Sequence, residues 1–170
     1  MTPVTLSIAL SLLLMGATAQ QAKIQTSADA LSSANVFAQG GYKTYSNARF
    51  GYSISYPANI LVPQGEADNG DGQIFRSNDS HAEMRVFGRY NVQNETLKSA
   101  FAAAQEGKSV TYKLLRGNFY VVSGHAGGKI FYEKTMLKGD TFKTFMIEYD
   151  EADAQTYDAI TARVARSFVG

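Results

Sequence analysis

Hydrophobic and polar positions alternate along this chain with two periods, one near two and one near three and a half. Phe50, Tyr52, Ile54 and Tyr56 alternate with Gly51, Ser53 and Ser55, which predicts a strand with one aromatic face, stopped by Pro57. Residues 65–73 (GEADNGDGQ) read as a turn-rich loop, and a short strand is expected near residues 73–76. Ala82, Met84, Val86 and Tyr90 alternate with Glu83, Arg85 and Arg89, a second clear strand. The period then lengthens. Leu97, Ala100, Phe101 and Ala104 fall on one face of a helix, with Asn94 as its cap, Glu106 near its end and Gly107 at the C-terminal glycine position.

Four strand-like runs follow, at residues 110–116, 119–125, 129–137 and 141–149. Gly117-Asn118, Gly127-Gly128 and Gly139-Asp140 separate them, and each pair is a short hairpin signal, so the runs are expected as antiparallel neighbours. Residues 152–168 place Tyr157, Ile160, Val164 and Phe168 at helical spacing, an amphipathic closing helix. In the middle strands both alternating sets are apolar: Phe119 and Val121 against Tyr120 and Val122, then Phe142 and Met146 against Phe145 and Ile147. A sheet solvated on one face does not show this pattern. The expected fold class is therefore α+β, an antiparallel sheet of about six or seven strands between helices, an α/β/α sandwich.

The N-terminal stretch has a different character. Residues 4–15 (VTLSIALSLLLM) are apolar, Gly16 breaks the run, and Ala17-Thr18-Ala19 supplies small residues for cleavage before Gln20. The first charged side chain is Lys23, so the positive charge of the leader is the amino terminus alone. Residues 1–19 read as a cleavable signal peptide, which implies a periplasmic or extracellular protein with no stable membrane anchor after cleavage. Residues 20–47, rich in Gln, Ala, Ser and Gly, are expected to form a flexible linker, and residues 48–170 a single domain.

Composition narrows the chemistry. The chain has no cysteine, which removes disulfides, thiolate nucleophiles and thiolate metal sites together. Its 16 Lys and Arg against 15 Asp and Glu are spread out, with no basic block of the kind that tracks a phosphate backbone. Nucleic acid is not an expected partner.

Candidate sites are few. Asn69 and Asp71 stand where alternating oxygen ligands of a calcium loop sit, but Ala67 and Asn78 occupy the first and closing positions, so a structural turn is the better reading. His81 and His125 are too few for a three-His zinc site. Ser123 and His125 lack the Gly-x-Ser-x-Gly elbow that exposes a nucleophile, so no catalytic residue and no cofactor is assigned. Asp150, Glu151 and Asp153 precede the closing helix, where negative charge offsets the helix dipole. Phe87 stands between Arg85 and Arg89 on the outward face of its strand, the composition that interfaces favour, and these three are the expected partner-binding residues.

Taken together, the aromatic-led strand ending in Tyr-Pro (FGYSISYP), the glycine-containing loop, the helix, the four-strand meander and the closing helix ending RVARSFVG resemble the PsbP-like fold. That fold is shared by an extrinsic subunit of photosystem II and a Ran-binding nuclear transport factor. YSNARFGYSISYP and NGDGQIFRSNDSHAEMRVFG are similar to a group of exported bacterial proteins with no assigned activity. The resemblance implies adaptors and assembly factors rather than enzymes. The expected function is a non-catalytic periplasmic protein-binding or accessory module whose partner is another periplasmic or envelope protein. An inhibitor or immunity protein is its specialised form. A small hydrolase or a small-ligand-binding protein is the alternative.

Overall fold

A computed structural model describes residues 41–170. The expected signal peptide and most of the expected linker lie outside the described residues. Two strands, β1 (Tyr42–Asn47) and β2 (Tyr52–Pro57), form an antiparallel hairpin of their own. Seven more build one antiparallel sheet: β3 (Leu61–Glu66), β4 (Gly72–Ser77), β5 (Ala82–Tyr90), β6 (Ser109–Arg116), β7 (Phe119–Ala126), β8 (Lys129–Lys138) and β9 (Thr141–Asp150). Their spatial order is β3-β4-β5-β9-β8-β7-β6, so β9 returns to pair with β5 and closes two meanders into one layer. Helix α1 (Leu97–Ala103) links the two meanders, and α2 (Ala154–Ser167) follows a single 3-10 turn after β9.

Seven strands and antiparallel pairing throughout agree with the expected sheet, and so do the three glycine hairpins. Gly127 and Gly128 both adopt positive φ, 58° and 80°, the geometry a two-residue turn between twisted strands requires. The membership of the sheet differs from expectation. The aromatic strand 52–57 leaves it to pair with β1, and β3, which carries no periodic signal, takes its place at the edge.

The linker boundary at residue 47 is corrected by β1. Its side chains are mostly polar, and it forms because β2 supplies a full register of partners from Tyr42↔Pro57 to Asn47↔Tyr52. Asn47, 3% exposed, is engaged at both ends of its amide: its two Nδ2 protons are shared among Tyr45 Oη, Glu66 Oε1 and the Gly70 carbonyl, and its Oδ1 accepts from the Phe50 N–H. A buried amide so engaged ties the hairpin to the β3–β4 loop.

The two sheet faces are covered unequally. On the inner face the β1–β2 hairpin and α2 seal a core that includes Ile54, Leu61, Phe75, Met84, Val86, Phe145, Ile147, Ile160, Val164 and Phe168. Lys134 of β8 reaches across this layer to donate to the Ala165 and Phe168 carbonyls, so a lysine satisfies the C-terminal end of α2. Gly88 is required here because a Cβ would lie 2.3 Å from Cγ of Phe50, which packs over that point of β5. On the outer face a second cluster, Ala100, Tyr120, Val122, Phe131 and Phe142, sits under α1 alone.

Helix α1 is shorter than expected, and its cap is not Asn94. Asn94 has φ 52°, and Thr96 caps instead, accepting from the Ser99 N–H while Ser99 Oγ accepts from the Thr96 N–H. Asn91 fixes the approach, its side chain bonding both the N–H and the carbonyl of Glu95. No helix among the described residues is long and apolar enough to cross a membrane.

Candidate functional site

The alternation of β5 sends Met84, Val86 and Gly88 inward and Glu83, Arg85, Phe87 and Arg89 outward. The three expected partner-binding residues therefore share one surface, the outer face of the sheet. Arg85 pairs with Glu83, which also accepts from Arg76 Nε at 2.7 Å. Burial raises the Glu83 carboxyl, but the hydrogen bonds from Arg76 and Arg85 outweigh it and hold the group below the usual carboxylate range. Arg89 pairs with Glu95, and its guanidinium lies 4.2 Å from the centre of the Phe142 ring.

Phe87 is the wall between two depressions. On one side, a shallow hollow of about 250 Å³ is lined by Gly65, Gly72, Ile74, Arg85 and Phe87, among others. It opens onto a stretch where Ile74 and Arg85 are exposed and Phe87 and Met146 half-buried. On the other side, a second cleft of about 250 Å³ runs under α1, with Phe87 and Met146 against one wall and Arg89 and Glu95 also bordering it. Its roof is Ala100, Ala103 and Ala104. Alanine at these helix positions leaves the space that larger apolar side chains would fill.

The floor of that cleft was not singled out from the sequence. Glu133 projects from β8 in the interior of the sheet, 8% exposed, and its Oε1 accepts from Tyr120 at 2.6 Å and Thr135 at 3.4 Å. Thr135 and Thr144 bond each other at 2.9 Å, and Lys108 Nζ stands 3.6 Å from Glu133 Oε2. Burial and the adjacent Glu133 charge push the Tyr120 hydroxyl well above its ordinary value, so it stays a donor. The available signal was a Glu within a strand whose outward set otherwise reads Phe131, Thr135 and Leu137.

At one end of the sheet three turns converge. His81 Nδ1 lies 2.8 Å from Asp153, 3.9 Å from Asp79 and 4.0 Å from Asp150. Its imidazole is held above the ordinary 6.5 by the hydrogen bond to Asp153 and the charge of Asp79. Ligand atoms of His81, Asp150 and Asp153 all lie within 4.8 Å of one another, a set that could hold a divalent cation, although Lys129 Nζ is 2.8 Å from Asp150. His125 Nδ1 lies 2.7 Å from Glu151.

The acidic run lies at the N-terminus of α2, where its negative charge offsets the helix dipole. Asp153 is the N-cap residue of α2 by position, but neither it nor Asp150 makes a side-chain cap hydrogen bond; their carboxylates turn to His81 and Lys129. Ser123 Oγ donates to the Phe131 carbonyl at 2.8 Å, so its hydroxyl is engaged with backbone. Asn69 and Asp71 bond each other, Asn69 Oδ1 accepting from the Asp71 N–H and Nδ2 donating to Oδ2, and Arg49 donates to the Asn69 carbonyl. The side chains of Asn69 and Asp71 are thus engaged within the turn itself.

No family model matches the chain, and no curated protein matches it. Among solved structures, the chain is similar to the solution structure of a cyanobacterial PsbP, CyanoP, from Synechocystis sp. PCC 6803, at 16% identity and a TM-score of 0.55. That match covers 75% of this chain and 91% of the other. A crystal structure from Bacteroides thetaiotaomicron also matches, at 10% identity and a TM-score of 0.44, covering 71% of this chain and 47% of the other. The first match spans most of both chains and agrees with the fold to which the strand, loop and meander residues point: this protein has a PsbP-like fold.

Proposed function

We propose that this chain is a non-catalytic, protein-binding accessory module of the periplasm, and that it docks through the half of its outer sheet face beside α1. The observation that carries this reading is the uneven cover of the sheet. Ile74 and Arg85 stand exposed, with Phe87 and Met146 half-buried beside them, on a surface that, among the described residues, no second amphipathic helix covers. An aromatic anchor flanked by Arg, next to an aliphatic residue, is the composition that binding hot spots favour. The fold likeness to a cyanobacterial PsbP is compatible with an accessory role. The export signal read in residues 1–19 names the compartment in which the partner is sought.

A photo-crosslinking residue substituted at Phe87, in cells that secrete the full chain, tests the reading. One reproducible adduct is expected, and Arg85→Glu in the same chain removes it. The same residue at Tyr112, 54% exposed on a distant strand, gives no adduct of that size. Equal yields from both positions, or none from Phe87, overturn the proposal.

A further inference from the structure

The two edges of the main sheet are built differently. Among the described residues, β3 ends the sheet on one side and β6 on the other. An edge strand exposes a row of unpaired N–H and C=O groups, which proteins defend with prolines, bulges and short lengths. β3 carries Pro63 and a register shift between Pro63 and Glu66. β6 has a register shift between Val110 and Tyr112, and beyond it Tyr112 to Arg116 run in unbroken register with β7, without a proline. Along that stretch Tyr112 is 54% exposed and Leu115 40%.

The hairpin fixes which groups face outward. Gly117-Asn118 is a two-residue turn, so Arg116 and Phe119 are its closing hydrogen-bonded pair. Alternation then turns the backbone of Leu114 and Tyr112 to β7 as well, and points the N–H and C=O of Lys113 and Leu115 at the open edge. Side chains alternate too. Lys113 and Leu115 lie opposite Val122 and Tyr120, on the outer face, while Tyr112, Leu114 and Arg116 share the inner side with Phe119. The Lys113 ammonium is held by Gln105 Oε1, at 3.2 Å, just beyond α1.

This strand is complementary to itself. A two-fold axis through Leu114, perpendicular to the sheet, brings a second β6 alongside in antiparallel register and keeps inner and outer faces in line. Lys113 of each copy then meets Leu115 of the other as a hydrogen-bonded pair, and every outward N–H and C=O of the two residues is used. On the inner side Tyr112 meets the exposed Arg116 of the other copy, a ring against a guanidinium, twice over. A register centred on Lys113 instead sets two lysines face to face, which sheets disfavour. We propose that the chain forms a homodimer through β6, two seven-stranded sheets joined edge to edge. β9, β8 and β7 separate β5 from this edge, so the Phe87 patch stays open in each copy, and the axis presents both patches on the same side.

The absence of cysteine makes the test specific to the register. In a non-hydrogen-bonded antiparallel pair the Cα atoms stand about 4.5 Å apart, within the range a disulfide spans. Leu114→Cys, in chain purified from secreting cells and oxidised in air, is expected to yield a disulfide-linked species of two chains, and Lys113→Cys at least tenfold less. Sedimentation of the unaltered chain is expected to show reversible conversion of monomer to dimer as concentration rises. Leu115→Pro removes an outward N–H without touching a bond to β7, and is expected to shift that conversion to at least tenfold higher concentration. Circular dichroism checks its fold; if it does not fold, the two cysteine variants decide. A monomer at every concentration, or cross-linking by Lys113→Cys equal to that by Leu114→Cys, overturns the proposal. So does a folded Leu115→Pro chain that dimerises as before, or a chain monomeric when pure whose Tyr112 photo-crosslinks to a different protein in secreting cells. The Tyr112 adduct expected here has the mass of two chains, which separates it from the Phe87 adduct. Loss of the Phe87 adduct with the dimer intact counts against the docking face alone.

Discussion

The inner face of the sheet is sealed by a hairpin and a helix of 14 residues, whereas the outer face is roofed in part by a helix of 7. The inner side buries a continuous cluster that includes Phe75, Phe145 and Phe168, all fully buried. The outer side buries a small cluster under α1 and then gives way to a charged cleft and an open aromatic patch. The inner face thus buries the larger core, and among the described residues the outer face is covered only in part. A cysteine-free domain can divide its labour in this way only if one core is large enough by itself.

The comparison breaks first at its strongest point. Phe145→Ala removes a ring that is 0% exposed and lies 6.0 Å from Phe168, and is expected to cost about 3–5 kcal/mol in urea unfolding. A loss much below that would mean that the inner layer is not the structural core.

The outer polar floor comes next. Tyr120→Phe deletes the 2.6 Å donor to Glu133 and is expected to cost about 1–3 kcal/mol by the same measurement. A neutral or stabilising result would show that Glu133 finds other donors in solution.

On the open patch, Arg85→Ala is expected to change stability by no more than about 0.5 kcal/mol, because its side chain is 51% exposed and its pairing with Glu83 is a surface ion pair. A larger loss in urea unfolding would assign the patch to the fold rather than to a partner.

The smallest effect is confined to a pH window. The folded-state pKa of His81 is raised above its ordinary 6.5, so its contribution is fully present below that value and is lost as pH rises through the higher, folded-state value. His81→Ala should therefore lower the melting temperature slightly near about pH 5.5 and not near about pH 8.5. Equal shifts at both would show that the Asp153 contact is not titrating.

Much of the fold was legible because it is local. The meander from β6 to β9 follows from alternation plus glycine pairs, and Gly117, Gly127 and Gly139 all take the positive φ their turns need. The closing helix was legible from Tyr157, Ile160, Val164 and Phe168, each buried against the inner face. β3 was not legible, since only Leu61 of its six residues is buried and Pro63 interrupts it; it exists because β4 supplies its hydrogen-bond partners. β1 escaped for the same reason. Asn94 had the right chemistry for a cap, but Asn91 and Thr96 on either side took the capping geometry.

The candidate sites divide along the same line. Arg85, Phe87 and Arg89 could be placed on one face from alternation, since a strand's period of two is a property of its own backbone. Their sequence could not show that Phe87 and Arg89 border a cleft under α1 while Arg85 lies outside it, nor that Glu133, Tyr120, Thr135 and Thr144 meet behind Phe87. The meeting of His81 with Asp153, 72 residues apart, was equally invisible.

By itself the sequence determined the absence of disulfides, the periods of the strands and helices that carry one, the glycine hairpin turns and which residues of the alternating strands share a face. Tertiary structure decided which strand became an edge, how far α1 covers its face and which polar groups share a cleft. Periodicity is set by the backbone geometry of neighbouring residues. Coverage and convergence depend on how distant elements divide the buried surface among themselves.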